Sequence, residues 1–188
     1  MSASRGYVIK GRVIDGTLKP PVENGAVAVE GERIKWVGRA ADLPQPYTSP
    51  EFEVIDLPDR SILPGLVDGH THISFGESRS EEENALYTPP EFRALKAIYY
   101  AKKVLQAGVT SAFDAATTYN VAQAVRDAID TGMFEGPRFT VSGKQITNRQ
   151  GLEDSFPSWM EFPVGQSAVL VKSKDEIVEA IRLQVKEE

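Results

Sequence analysis

The chain has 188 residues, with 27 acidic against 21 basic side chains and a net charge of −6, so it lacks the basic excess that nucleic-acid binding needs. Hydrophobic residues at 41% and charged residues at 26% describe a chain that builds an ordinary globular core, which sets global disorder aside. There is no cysteine, so neither a disulfide nor a thiolate ligand or nucleophile is available. No apolar run approaches the ~20 residues of a membrane span, residues 1–6 lack the apolar core of a signal peptide, and a cytoplasmic protein without membrane partners is expected.

The first third reads as β-structure. Residues 7–14, from Tyr7 to Ile14, are rich in strand formers and stop at the turn dipeptide Asp15-Gly16. Residues 25–30 and 33–37 form two further strands, and Gly31-Glu32 between them suits a tight hairpin. A loop with Pro44, Pro46 and Pro50 leads to a strand over 52–56. Residues 1–61 are therefore expected to form a small antiparallel β-sandwich domain.

The pattern changes at Ile62. The nearly continuous apolar run that ends at His70-Thr71-His72 suits a strand buried on both faces, as in a parallel sheet. A polar connection over 73–88 carries Glu81-Glu82-Glu83, read as a solvated run. Thr88 as a cap, Pro89 and Pro90 in the first turn and Glu91 predict a helix, with Ala94, Leu95, Ile98, Ala101 and Leu105 on its buried face and Gly108 at its end. A strand over 109–113 ending at Asp114, a helix over 121–129, a strand over 138–141 and a long polar loop over 144–166 follow. The Ser173-Lys174-Asp175-Glu176 capping box opens a last helix through Leu183. The helical face predicted over 121–129 carries Val121, Ala124, Val125, Ala128 and Ile129.

Strands alternating with helices imply a parallel sheet covered by helices. A closed eight-stranded α/β barrel takes ~250 residues, so residues 62–188 are expected to supply about half of one: three strands with their helices. An unclosed sheet leaves an edge and apolar surface bare, which predicts an isolated chain that aggregates, oligomerises or needs a partner segment. A self-contained binding module of this length would instead melt cooperatively as a monomer.

The chain's two histidines are His70 and His72. Side chains two apart on a strand share a face, ~6.6–7 Å apart along the backbone, and two neutral imidazoles so placed can converge on one cation. Their position at the C-terminal end of a strand is where parallel-sheet enzymes hold ligands. Taken alone, a His-x-His pair is more often a surface or structural feature. Asp68 has the same parity and points into the barrel below them, either supporting a ligand by a hydrogen bond or serving as a structural buried carboxylate; parity leaves both open. Asp114, at the end of its strand, either faces the pocket or caps the segment that follows it, and the cap is the favoured reading. Residues 142–150 lie at the catalytic face, with a plain polar loop as the default. Trp159 and Phe162 either line a pocket or pin their loop to the body, with pinning the favoured reading.

The run Pro64-Gly65-Leu66-Val67-Asp68-Gly69-His70-Thr71-His72, placed after a small β-domain and before β/α alternation, resembles the signature of the amidohydrolase superfamily. Val54-Ile55-Asp56-Leu57 upstream and Ala107-Gly108-Val109-Thr110-Ser111 downstream resemble it too, most of all its imidazolonepropionase-like and Xaa-Pro dipeptidase-like branch, and the likeness is to the N-terminal portion of that family. The resemblance implies hydrolysis of an amide, peptide or cyclic amide C–N bond in a small-molecule or dipeptide substrate. The water is activated at one or two divalent metals, commonly zinc. His70 and His72 match the first two metal ligands. The resemblance places a carboxylated Lys, two further His and an Asp on later strands; neither Lys144 nor Asp114 is assigned to those roles, and the isolated chain is expected to be an incomplete enzyme, possible as a homo-oligomer. Relatives of the dipeptidase kind often carry a His after the third strand, and this chain has none there. The rival reading is a non-catalytic scaffold or binding protein that keeps the fold.

Overall fold

Gly31 adopts a positive φ of +57°, a conformation that glycine takes without steric cost, and the turn it forms pairs Glu30 with Arg33. That hairpin belongs to the first of two compact units, which divide between Pro64 and Gly65 in a computed structural model that describes residues 6–187. In the first unit, strands β1 (Gly6–Val13), β2 (Val22–Glu30), β3 (Arg33–Arg39) and β4 (Phe52–Ile62) form one sheet in the order β3-β2-β1-β4. Its core is small: Val8, Ala26 and Ala28 are fully buried, with Trp36, Leu43, Tyr47 and Phe52 packed against them. Tyr47 and Phe52 meet edge to face, with centroids 5.2 Å apart.

This unit differs from the expected antiparallel sandwich in two ways. Its described strands make a single sheet, and β4 runs parallel to β1, with Val8 opposite Val54 and Ile9 opposite Ile55. Residues 40–51 carry the chain back across the sheet before β4 begins, which sets the parallel direction. Alternation along a strand reports which face is apolar; it carries no information on strand direction.

The second unit is built on three parallel strands, β5 (Leu66–Thr71), β6 (Val109–Asp114) and β7 (Arg138–Val141), in that spatial order. Helices α1 (Pro90–Gln106) and α2 (Val121–Asp130) connect them. Ala97 and Ala101 of α1 and Val121, Ala122 and Val125 of α2 bury against Ala112, Phe139 and Val141 of the strands. Gly65 lets the chain enter β5 close to β6: a Cβ there would lie 2.0 Å from Thr110 Oγ1.

Several expectations are corrected here. Leu66 and Val67 are 54% and 74% exposed, because β5 is an edge strand paired only with β6 among the described residues. Thr88 does not cap α1; its hydroxyl donates to Glu83 O at 2.8 Å, and Pro89 holds the cap position with no side-chain bond. The buried stripe of α1 runs through Arg93, Ala97 and Ala101, so Leu95 faces solvent. On α2, Ala122 and Gln123 are buried and Ala124 is not. Glu83, expected to be merely solvated, accepts from Arg79 N and Nε at 2.9 and 3.0 Å.

The polar loop after β7 contains a strand, β8 (Gln145–Thr147), which pairs in parallel with β9 (Ala168–Leu170). Bonds from Gln145 N to Ser167 O and from Val171 N to Thr147 O, both 2.8 Å, extend the pair at either end. Trp159, inside the loop, is 85% exposed and pins nothing. The last helix, α3 (Lys174–Glu187), starts at the predicted capping box: Ser173 Oγ accepts Glu176 N–H at 3.2 Å, while the Glu176 carboxylate reaches back to Lys172 N–H at 2.7 Å. No described helix is long and apolar enough to cross a membrane.

Candidate metal centre

Strand β5 ends at Thr71, and the two histidines straddle that end, His70 as its penultimate residue and His72 just beyond it. Their rings approach to 5.0 Å between centroids, edge to face at 86°. The strand pleat carries both to one side, as their parity predicts.

His72 is the more firmly held. One face of its ring stacks on Phe75, at 4.6 Å and 8° between planes, and its Nδ1 lies 3.2 Å from Ala116 O. A carbonyl oxygen can only accept, so this contact assigns the proton of the neutral ring to Nδ1 and leaves the lone pair on Nε2. A histidine ligand is oriented in the same way when its far nitrogen donates to a backbone carbonyl. Phe75 and Ala116 are partners that spacing alone does not reveal; the one local signal is an aromatic residue three places after His72.

Asp68 Oδ1 accepts the His70 backbone N–H at 3.0 Å, so this carboxylate steadies the strand segment that carries the first histidine. Asp114 ends β6 and lies beside Thr71 and Val141 in the sheet register. It is fully buried, and its Oδ2 accepts Ile73 N–H at 2.6 Å while Oδ1 has no partner. Burial pushes its pKa up to about 6 against the opposing pull of the Ile73 bond. Asp114 thus ties down the chain leaving the histidine segment, not the segment after β6 that it was expected to cap. Ser74 acts next to it: its Oγ accepts Thr118 N–H at 2.9 Å, and both residues are buried.

Two imidazoles at this spacing, one with its tautomer fixed, fit part of the ligand set of a divalent metal, whose nitrogen ligands sit at ~2.0–2.1 Å for zinc. Among the described residues no group of three or more His, Asp or Glu side chains converges there. Lys144 and Asp114 do not approach as ligands: Lys144 Nζ donates to Val164 O at 3.0 Å, and Asp114 is engaged with Ile73.

The arrangement has relatives. Residues 61–188 match the model of the amidohydrolase family, and residues 25–45 match the imidazolonepropionase-like composite domain of bacteria. An imidazolonepropionase from Clostridium tetani is 43% identical over 61 residues, 32% of this chain and 15% of that protein. One from Streptomyces griseus is 29% identical over 118 residues, 63% of this chain and 28% of that protein. Among solved structures, a prolidase complexed with N-methylphosphonate-L-proline superposes with a TM-score of 0.77 at 26% identity, covering 97% of this chain and 44% of that one. Aspergillus niger ochratoxinase gives a TM-score of 0.81 at 24% identity over 99% of this chain and 45% of its own, a likeness of fold. The chain therefore spans less than half the length of these relatives. With two thirds of its residues on the family model and the histidine pair at the end of the first parallel strand, the chain belongs to the amidohydrolase family, in its imidazolonepropionase-like branch.

Proposed function

We propose that the chain carries two ligands, His70 and His72, of the divalent metal centre of a hydrolase that cleaves amide, peptide or cyclic amide C–N bonds in small molecules. The observation that carries this reading is the His72 contact with Ala116 O, which leaves the unprotonated Nε2 lone pair available to a metal, on a ring whose centroid is 5.0 Å from that of a second imidazole. Zinc is the ion that an all-nitrogen start to the ligand set fits best, and it would supply an acidified water and polarise the scissile carbonyl. The chain's own residues do the positioning. Phe75 and Ala116 fix the His72 ring, Asp68 fixes the backbone at His70, and Asp114 anchors the segment just after the pair.

The substrate class is drawn from the relatives, an imidazolonepropionase and a prolidase, both of which are named for action on C–N bonds. The small β-domain and the barrel portion, at 1–61 and 62–188, take the parts that the resemblance gives them.

Cobalt(II) titration of the chain, followed by its visible spectrum, tests the ligand assignment. The chain is expected to bind with nitrogen coordination, and His70→Ala and His72→Ala each to weaken binding by about tenfold or more, in line with the loss of one ligand. Binding that survives both substitutions together would overturn the assignment, as would a nitrogen NMR spectrum showing His72 protonated at Nε2 in the metal-free neutral state.

A further inference from the structure

A helix that covers a sheet buries one stripe and turns polar residues outward. Helix α1 does not follow that pattern. Its buried stripe runs through Arg93, Ala97 and Ala101, and at ~100° per residue Phe92, Leu95 and Tyr99 fall on the opposite side. They are 55%, 67% and 59% exposed. The flanks of the helix are already occupied. Ala94 and Ile98 pack against the core shared with α2, and Lys96 and Tyr100 lie toward Gly76. Further helices in a layer around a sheet meet their neighbours along the flanks, so they leave this outer stripe uncovered.

The stripe has the spacing of a helix-pairing seam. Phe92, Leu95, Tyr99, Lys102 and Gln106 follow one another at intervals of three, four, three and four residues. Tyr99 is held in place before any partner arrives, with the Lys103 ammonium 4.5 Å from its ring centroid, which lowers the cost of burying it. Charge is distributed unevenly along the seam. Glu91 stands at its N-terminal end, exposed and without an ion pair among the described residues, and Lys102 and Lys103 stand at its C-terminal end. Glu91 and Lys102 also share one side of the stripe, their directions differing by ~20° around the helix. Lys102 already meets Glu135 at 3.0 Å in an exposed pair.

We propose that this face docks a second copy of the chain, with the two α1 helices antiparallel about a twofold axis that passes beside Ala97. Leu95 and Tyr99 lie two residues either side of Ala97, and Phe92 and Lys102 five. Antiparallel pairing therefore sets Leu95 of each copy on Tyr99 of the other, Phe92 on the aliphatic stem of Lys102, and Glu91 beside the Lys102 ammonium. A parallel pair would set Glu91 beside Glu91 and Lys102 beside Lys102, which like-charge repulsion rejects. The three apolar side chains offer about 400 Å² per copy. Interfaces are ~56–65% apolar, so the whole contact comes to about 1,300 Å² over both copies, the lower end of the standard size and enough for a dimer of micromolar affinity. The pairing rests on α1 and does not depend on the metal reading.

Sedimentation equilibrium of the 188-residue chain reads the association. A monomer–dimer equilibrium with a Kd on the order of 10 µM is expected. Leu95→Glu should raise the Kd by about thirtyfold or more and leave the circular dichroism spectrum unchanged. Glu91→Lys and Lys102→Glu should each raise it by about tenfold. Mixed in equal amounts, those two variants should recover a dimer of near-original affinity, since each copy then supplies the charge that the other needs. Association through the open edge of β5 gives neither the loss at Leu95 nor the rescue on mixing. A chain that stays monomeric to about 0.5 mM, with the stripe binding anionic phospholipid vesicles or nothing, would overturn the proposal. So would association that Leu95→Glu leaves unchanged, or charge variants that associate no better mixed than alone.

Discussion

In the first unit the residues closed off from solvent are Val8, Val13, Ala26, Val27 and Ala28, with glycines beside them. In the second, equal burial takes in Arg93, Asp114, Thr117, Thr118, Gln123 and Ser167 beside its alanines and valines. Every described side chain that is both buried and polar or charged lies in the second unit. Several keep an unsatisfied atom: Arg93 Nε, Asp114 Oδ1, Thr118 Oγ1 and Gln123 Oε1. An apolar core is enough to hold a small sheet together, and the first unit has little else. Buried polar atoms without partners cost stability, and among the described residues the second unit keeps these four against one, Ser49 Oγ, in the first. The four lie on α1, at the end of β6, in the segment that follows it and on α2.

Substitutions can break or sharpen this contrast. The largest effect is expected at Arg93. Arg93→Ala removes the bonds to Asn84 and Thr88 and the contact with Tyr119, and leaves a void in the second unit. A loss of about 4 kcal/mol in the denaturant-induced transition of that unit is expected, read by amide hydrogen exchange of α1 and α2, while Trp36 fluorescence in the first unit reports little change. A loss below about 1 kcal/mol would mean that the guanidinium contributes no net stability.

Asp114 gives a signed pH effect. Its folded pKa of about 6 lies above the usual carboxylate value near 4, so the folded state binds the proton more tightly than the unfolded chain does. Its contribution to stability is therefore full below about pH 4 and is lost as the pH rises through about 6. Asp114→Asn keeps an acceptor for Ile73 N–H and removes the charge. At pH 7, with metal chelated, it should stabilise the second unit by up to about 3 kcal/mol, and the advantage should vanish near pH 4. Urea titrations at pH 4, 5.5 and 7 decide the matter; a difference independent of pH would refute the buried-charge account.

Val8→Ala tests the apolar side of the contrast. Val8 is fully buried, and losing two methyl groups should cost about 2 kcal/mol, confined to the Trp36 signal and flat across the same pH range. A spread of the effect to amide exchange in α1 and α2 would show that the units do not unfold separately. The smallest effect is expected at Ser173→Ala, which deletes the acceptor for Glu176 N–H at the start of α3. About 1 kcal/mol should be lost, visible as faster amide exchange in the first turn of that helix.

Much of this was legible in the residues, and the limits are physical. The hairpin at Gly31, the alternation of strand and helix after Ile62, and the capping box at Ser173 are local signals, and each marks an element close to its observed place. The pairing of the two histidines was legible because strand parity is a local rule. What lies outside local rules was not. The parallel direction of β4 depends on where a loop lands, and β8 depends on β9, more than twenty residues later in sequence. Thr88 reads as a cap until Glu83 O competes for its hydroxyl, and Leu95 reads as core until Arg93 takes the buried stripe. At the site, the partners of His72 and Asp114 come from separate strands and turns, so the carboxylate expected to cap its own successor instead holds Ile73. Trp159 shows the opposite failure: a large aromatic in a polar loop suggests an anchor, and it stands in solvent.

The parallel clasp between β8 and β9 has a consequence for how such a protein could change. Its two short strands hold both ends of residues 148–167 at a fixed separation; Pro163, Gly165 and Gln166 are buried and Val164 O accepts from Lys144, whereas residues 157–161 are all exposed. Lengthening a closed loop adds little free energy, since the entropic term grows only with the logarithm of its size. The exposed stretch 157–161 can therefore be exchanged as a cassette, swapped between relatives or diversified in a library, while the strands that carry the histidines stay in register.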